Sequence, residues 1–164
     1  MPFTIRPLRI DEATSYRDVR LEALRLHPDG FSASFEQETA QPLAFFEDRL
    51  TGGVVFGGFR GDVLLATAGL RIQTGAKTAH KGLLWGMYVR RDARGTDLAR
   101  RMVEAVLDHA NGRVELVHLT VVADNVNARR LYLACGFEPY GTEERALKLG
   151  DRYLDEVLMV KRLT

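Results

Sequence analysis

A chain of 164 residues with ordinary apolar (46%) and charged (27%) content is sized for one globular domain, residues 1–164, built around one core. Its 23 basic and 22 acidic residues leave a net charge of +1, which argues against bulk attraction to nucleic acid or to a membrane surface. The lone cysteine, Cys135, excludes an internal disulfide and a cysteine metal cluster, and no apolar run is long enough to span a membrane. The opening stretch MPFTIRPLRIDEA has no apolar signal core, so a cytoplasmic location is the default expectation.

Taken in order, residues 3–9 alternate loosely and predict a first strand, placed at a sheet edge because Pro7 lacks a donor. A helix is expected from Asp11 to Leu26, with Val19, Ala23 and Leu26 on its apolar side, stopped by His27-Pro28-Asp29-Gly30. Residues 31–41 show no clear period, and Pro42 opens a short helix over residues 43–50. Residues 54–59 and 63–72 flank Arg60-Gly61-Asp62 and read as a hairpin. The apolar run 83–89 reads as a buried strand, residues 96–110 as a long helix and residues 114–122 as the next strand. In the long helix Leu98, Met102, Ala105 and Val106 form one stripe. Asp124 or Asn125 caps a helix to Cys135, with Ala128, Leu131 and Tyr132 on one side. Two last strands, 137–140 and 153–163, flank a loose loop over residues 141–152. The order is that of an α/β (α+β) chain with a mixed sheet and helices on both faces.

The junction after residue 89 carries the chemistry. A strand runs into a charged, glycine-bearing turn and then a helix start, where free N–H groups converge and the peptide dipoles add about half a positive charge. Arg94, Arg100 and Arg101 add full charges. A polyphosphate suits such a place; any α/β protein also has strand–turn–helix junctions. No Gly-x-Gly-x-x-Gly and no Gly-Lys-Ser/Thr loop is present, so a dinucleotide or nucleoside triphosphate is a poor fit.

Arg94-Gly95-Thr96-Asp97-Leu98-Ala99, after a Met-Tyr-Val strand end, resembles the acetyl-CoA signature of the GNAT N-acetyltransferase superfamily, Gln/Arg-x-x-Gly-x-Gly/Ala. Asp97 departs from it, because the family has glycine there. Asn125-x-x-Ala128-x-x-Leu131-Tyr132-x-x-x-Gly136-Phe137 resembles the family's downstream motif without a gap. The resemblance implies a mixed, mostly antiparallel sheet of about six to seven strands. Two parallel central strands, 83–89 and 114–122, would splay apart to admit acetyl-CoA.

The resemblance also implies roles. Backbone groups of Met87, Tyr88 and Val89 would pair with the pantetheine arm, and N–H groups from Gly95 through Arg100 would take the pyrophosphate, with Asn125 and Ala128 also at the cofactor. The Val89 N–H or a neighbour would stabilise the oxyanion. Tyr132 falls on the family's general-acid tyrosine, since a phenol of pKa about 10 can protonate a thiolate whose acid has a pKa of about 8.5. The competing reading makes Tyr132 a core residue of its helix, and Asp97 simply a favourable residue for a helix start. Thr120 stands where some members place a basic glutamate, leaving His80, His118, Asp124, Glu36 or a water chain as bases. Phe31, Phe35, Glu36, Phe45 and Tyr153 are candidates for the acceptor wall, or core plugs.

The expected activity is N-acetylation of a primary amine by direct attack in a ternary complex, with acetyl-CoA as cosubstrate and no metal. The acceptor is a small-molecule amine or a peptide amine; neither nucleic acid nor membrane is a partner, and a homodimer is compatible with this reading. The alternative, motivated by Asp97 and the missing glutamate, is a catalytically weak acyl-CoA-binding module.

Overall fold

The computed structural model describes residues 2–163. Seven strands form one sheet in the order β1-β2-β3-β4-β5-β7-β6. They are β1 (Phe3–Pro7), β2 (Val54–Arg60), β3 (Val63–Ile72), β4 (Lys81–Val89), β5 (Leu116–Val122), β6 (Glu138–Leu149) and β7 (Arg152–Arg162). Every neighbouring pair is antiparallel except β4 and β5.

The helices are α1 (Ala13–Leu26), α2 (Phe35–Thr39), α3 (Leu43–Thr51), α4 (Leu98–Ala110) and α5 (Val126–Ala134). They divide between the two faces. On one face α4 lays its stripe of Leu98, Met102, Val103 and Val106, all fully buried, over the sheet beside Leu84, Val117, Leu119 and Phe137. A fully buried side chain of this size is worth about 1.5–3 kcal/mol. On the other face α1 and α3 pack Tyr16, Val19, Phe46 and Leu50 against Val55, Phe59, Leu64 and Tyr88. Tyr16 and Phe46 meet edge to face at 6.2 Å.

Several boundaries differ from the sequence reading. Leu8 leaves β1, a short 3-10 turn fills Ile10–Glu12, and α1 begins at Ala13. The long helix starts at Leu98 because Thr96 and Asp97 form its entry. The residues left without a period contain α2, whose Ser34 hydroxyl accepts the Gln37 N–H at 3.1 Å. The serine-to-glutamine spacing is half of a capping box. The expected loose loop over 141–152 is a correction: β6 continues to Leu149 and turns through Gly150 into β7. It escaped detection because β6 is an edge strand, mostly exposed and interrupted by two register shifts, so no apolar alternation marks it.

Candidate active site

β4 and β5 are hydrogen-bonded neighbours over only three residue pairs, from Lys81↔Leu116 to Leu83↔His118. Beyond them the strands part, and a cavity of about 670 Å3 fills the wedge. That is within the range of small-molecule and cofactor sites, about 300–1,000 Å3. Its walls are Trp85 to Val89 on β4, Leu119 to Val122 on β5, the start of α5, the segment after α1 with His27 and Phe31, and Arg152 and Leu154 on β7.

The wedge side of β4 carries a bulge. Thr67 pairs with Tyr88 and Gly69 with Trp85, so Gly86 and Met87 together face the single Ala68. Gly86 has φ +64, a conformation that costs glycine little, and its carbonyl accepts the Thr67 hydroxyl at 3.3 Å. The Arg90 N–H donates across the sheet to the Leu65 carbonyl. Alternation then turns the polar backbone groups of Val89 to the open side of β4. The Val89 carbonyl is already engaged: the Arg94 Nε donates to it at 3.1 Å. The Val89 N–H is left facing the wedge.

Arg94 holds the turn from three directions. Besides Val89, its guanidinium lies over the Tyr88 ring at 5.9 Å and donates to His27 Nε2 at 3.0 Å. Arginine can only donate, so Nε2 is the acceptor in this contact. Beneath it, Glu22 on α1 accepts from the Tyr88 hydroxyl at 2.8 Å and from Arg90 at 2.9 Å. The Arg90 hydrogen bonds hold the Glu22 carboxyl below its usual range against the opposing effect of burial. This network ties the wedge rim to α1, and the sequence reading missed it. Its three members lie on two elements far apart in the chain, with no local pattern linking them.

Gly95 (φ +76) turns the chain into α4. Thr96 stabilises the entry, donating to the Ala93 carbonyl at 2.6 Å and accepting the Leu98 N–H at 3.2 Å. Asp97 makes no capping hydrogen bond and is exposed. Leu98 is a core residue, fully buried, and does not line the cavity. Arg100 and Arg101 lie in the first turn of α4, and each side chain has a partner within the fold. Arg100 pairs with Glu104 at 2.8 Å, and Arg101 reaches toward the Phe3 carbonyl at 3.5 Å.

On the other wall, the Asn125 side-chain oxygen accepts the Ala128 N–H at 3.2 Å and caps α5. Asn125, Asn127, Ala128, Leu131 and Tyr132 all line the cavity. Tyr132 is 7% exposed, edge-on to Phe137 at 5.9 Å. Burial pushes its phenol well above the usual range, so it stays protonated.

Of the expected acceptor residues, Phe31 lines the cavity. Phe35 and Glu36 sit on α2 and do not reach it, and Phe45 lines a second cavity of about 310 Å3 with Arg49, Arg71 and Trp85. Tyr153 points away: strand alternation sends its neighbours Arg152 and Leu154 inward, and its own ring, 46% exposed, stacks under Arg145 at 4.7 Å. Of the expected bases, Asp124 lines the wedge. His80 lies at the opposite end of the sheet, where its carbonyl accepts from Glu115 and Leu116. His118 lies two residues before Thr120, its Nδ1 3.3 Å from the Tyr140 hydroxyl.

Trp85, also unanticipated, borders both cavities. It lies flat over Gly69, where a Cβ would come within 2.5 Å of its indole nitrogen. The guanidinium groups of Arg20, Arg49 and Arg71 surround the ring at 5.7, 5.1 and 4.9 Å. Arg20 and Arg49 both clamp Glu38, at 3.0 and 2.8 Å.

Comparison with known proteins agrees with this geometry. Residues 18–137 match the model of the acetyltransferase (GNAT) family. No curated protein matches the chain in sequence. Among solved structures, a GNAT-family acetyltransferase from Streptococcus pneumoniae superposes with a TM-score of 0.80 at 19% identity, covering 99% of this chain and 100% of its own. The Salmonella typhimurium protein yncA, solved with its cofactor acetyl-CoA, gives a TM-score of 0.83 at 18% identity over 100% of this chain and 95% of its own. A ribosomal-protein-alanine N-acetyltransferase from Brucella melitensis gives 0.79 at 19% identity over 98% of this chain and 99% of its own. At these identities the structures speak for the fold, and the family match spans most of the chain. With its seven-stranded mixed sheet and parting parallel strands, the chain belongs to the GNAT acetyltransferase family.

Proposed function

We propose that the chain is a single-domain acetyl-CoA-dependent N-acetyltransferase that moves the acetyl group to a primary amine by direct attack in a ternary complex. The observation that carries this is the parting of β4 and β5 after three residue pairs, with the Val89 N–H facing the gap and the start of α4 at its rim. Met87, Tyr88 and Val89 offer the pantetheine arm a strand edge. The turn from Arg94 to Ala99, with Arg100 behind it, offers backbone N–H groups to the pyrophosphate, and Asn125 and Ala128 close the opposite wall.

The chemistry then follows from position. The thioester oxygen gains negative charge as the amine attacks, and the Val89 N–H meets that charge; such donors are worth about 3–4 kcal/mol. Tyr132, protonated and lining the same cavity, donates to the departing sulfur. The amine approaches between Phe31, Trp85 and Leu154, where the apolar wall strips water from it. Backbone donors do not depend on side-chain identity, so Asp97 is compatible with binding.

The test is thiol release from acetyl-CoA against a panel of small amines and peptide N-termini. Turnover with any of them supports the enzyme. Tight binding of acetyl-CoA without turnover across the panel would instead favour an acyl-CoA-binding module.

A further inference from the structure

β5 offers no acid to the wedge, because Thr120 occupies its middle. The neighbouring strand does. Val122 is the direct cross-strand partner of Glu156 on β7, and Thr120 is its diagonal neighbour. Side chains two apart on a strand share a face, so Thr120, Val122, Leu154 and Glu156 all point to the same side of the sheet. The first three line the cavity. Glu156 itself lies outside the lining but on the cavity's side of the sheet, beside three lining residues, at separations of about 5 Å for the direct partner and about 7–8 Å for the diagonal one. A glutamate side chain is long enough to span that gap toward the Thr120 hydroxyl.

Glu156 is half-buried, and α1 to α3 cover the other half of this face, over β2 to β4. The groups facing Glu156 come from its two neighbouring strands. They are Thr120 on β5, with His118 two residues further along, and Glu143 on β6, its direct partner on the other side. On its own strand Arg152 shares the face, four residues away beyond Leu154. Burial pushes the Glu156 carboxyl above the usual range, the nearby Thr120 hydroxyl opposes this, and the Glu143 charge adds to it. A carboxylate so placed is better matched to accepting a proton near neutral pH than a solvated one.

We propose that Glu156 is the general base of the acetyl transfer, taking the proton of the acceptor ammonium through the Thr120 hydroxyl or one water. This rests on the acetyltransferase reading. Two protons leave the ammonium nitrogen. The first passes to Glu156 and on to solvent, freeing the lone pair that attacks the carbonyl carbon. The carbon–sulfur bond then breaks, Tyr132 protonates the sulfur, and the second nitrogen proton restores Tyr132. The products are the amide and the free thiol. Thr120 is a positioning residue in this scheme.

The variant Glu156→Gln keeps size and packing. With an alkylamine that is charged at neutral pH, its turnover is expected to fall about a hundred-fold, while acetyl-CoA still raises its melting temperature as in the wild type. The acidic limb of the kcat/KM profile should disappear. The loss should shrink for hydroxylamine, which is already uncharged at pH 7. Glu156→Asp should keep the acidic limb with reduced turnover, and Thr120→Val should fall between wild type and Glu156→Gln. Wild-type turnover and an unchanged pH profile in Glu156→Gln would overturn the base assignment alone. A wild-type protein that releases no thiol with any amine would overturn the acetyltransferase reading and the base with it.

Discussion

Replacing Tyr132 by Phe removes one oxygen from a site where the structure separates catalysis from stability. The ring packs edge-on to Phe137 at 5.9 Å, a contact the variant keeps. Burial is the main influence on the phenol, with a smaller one from Cys135 and none from a hydrogen bond. Its deletion therefore costs no protein–protein hydrogen bond, which would be worth about 1 kcal/mol. Stability should change by less than about 0.5 kcal/mol. Catalysis should change more. General-acid help spans about a hundred-fold to ten-thousand-fold. The low end applies here, because a thiolate is already a fair leaving group and water enters an open wedge. A hundred-fold loss corresponds to about 2.7 kcal/mol in the barrier. The assay is single-turnover thiol release, paired with urea unfolding. The loss should shrink with an acyl donor whose thiol is more acidic. Unchanged turnover with chemistry rate-limiting would refute the acid role and leave Tyr132 a core residue.

Asp97→Gly should tighten acetyl-CoA binding about three-fold in calorimetry, since an exposed carboxylate about 6 Å from a phosphate repels it only weakly in water; weaker binding would mean that Asp97 supports the turn. Glu38→Gln should destabilise the fold by about 3 kcal/mol at pH 7, because it strands the buried Arg20 and the half-buried Arg49 guanidinium groups. Burial raises the Glu38 carboxyl, but the Arg20 and Arg49 hydrogen bonds outweigh it and bring it to about 2, below its usual 4.5. Its stabilisation is therefore complete above pH 4.5 and lost as the pH falls toward 2, so unfolding curves of wild type and variant should converge over that window. Gly69→Ala should push the Trp85 indole off the sheet at a cost of about 1–3 kcal/mol. As the chain has one tryptophan, its fluorescence should report the move directly, together with slower acceptor turnover.

The elements that position the wedge were legible in the sequence. The apolar run of β4, the stripe of α4 and the Asn125 cap each leave a local periodic or punctuating signal, and Arg94 and Tyr132 came with recognisable motifs. The residues that missed share a different cause. The Glu22–Tyr88–Arg90 network, the Trp85–Gly69 stack and Glu156 beside Thr120 depend on pairing between distant strands and helices, which no local spacing encodes. Phe35 and Glu36 were misplaced because the short helix α2 turns them away from the cavity. Tyr153 was misplaced by one residue of strand phase, enough to exchange it with Arg152 and Leu154. The long β6 was invisible because an exposed edge strand needs no apolar face.

The gap between the parted β4 and β5 is where the proposed acyl donor binds. Amide spectra of isotope-labelled protein titrated with acetyl-CoA test this residue by residue. Binding in the gap should give the largest shifts at Val89, Gly95, Asp97 and Ala128, with the amides of β1 and β2 unmoved. Saturable shifts confined to another face of the sheet, or none at millimolar acetyl-CoA, would contradict it.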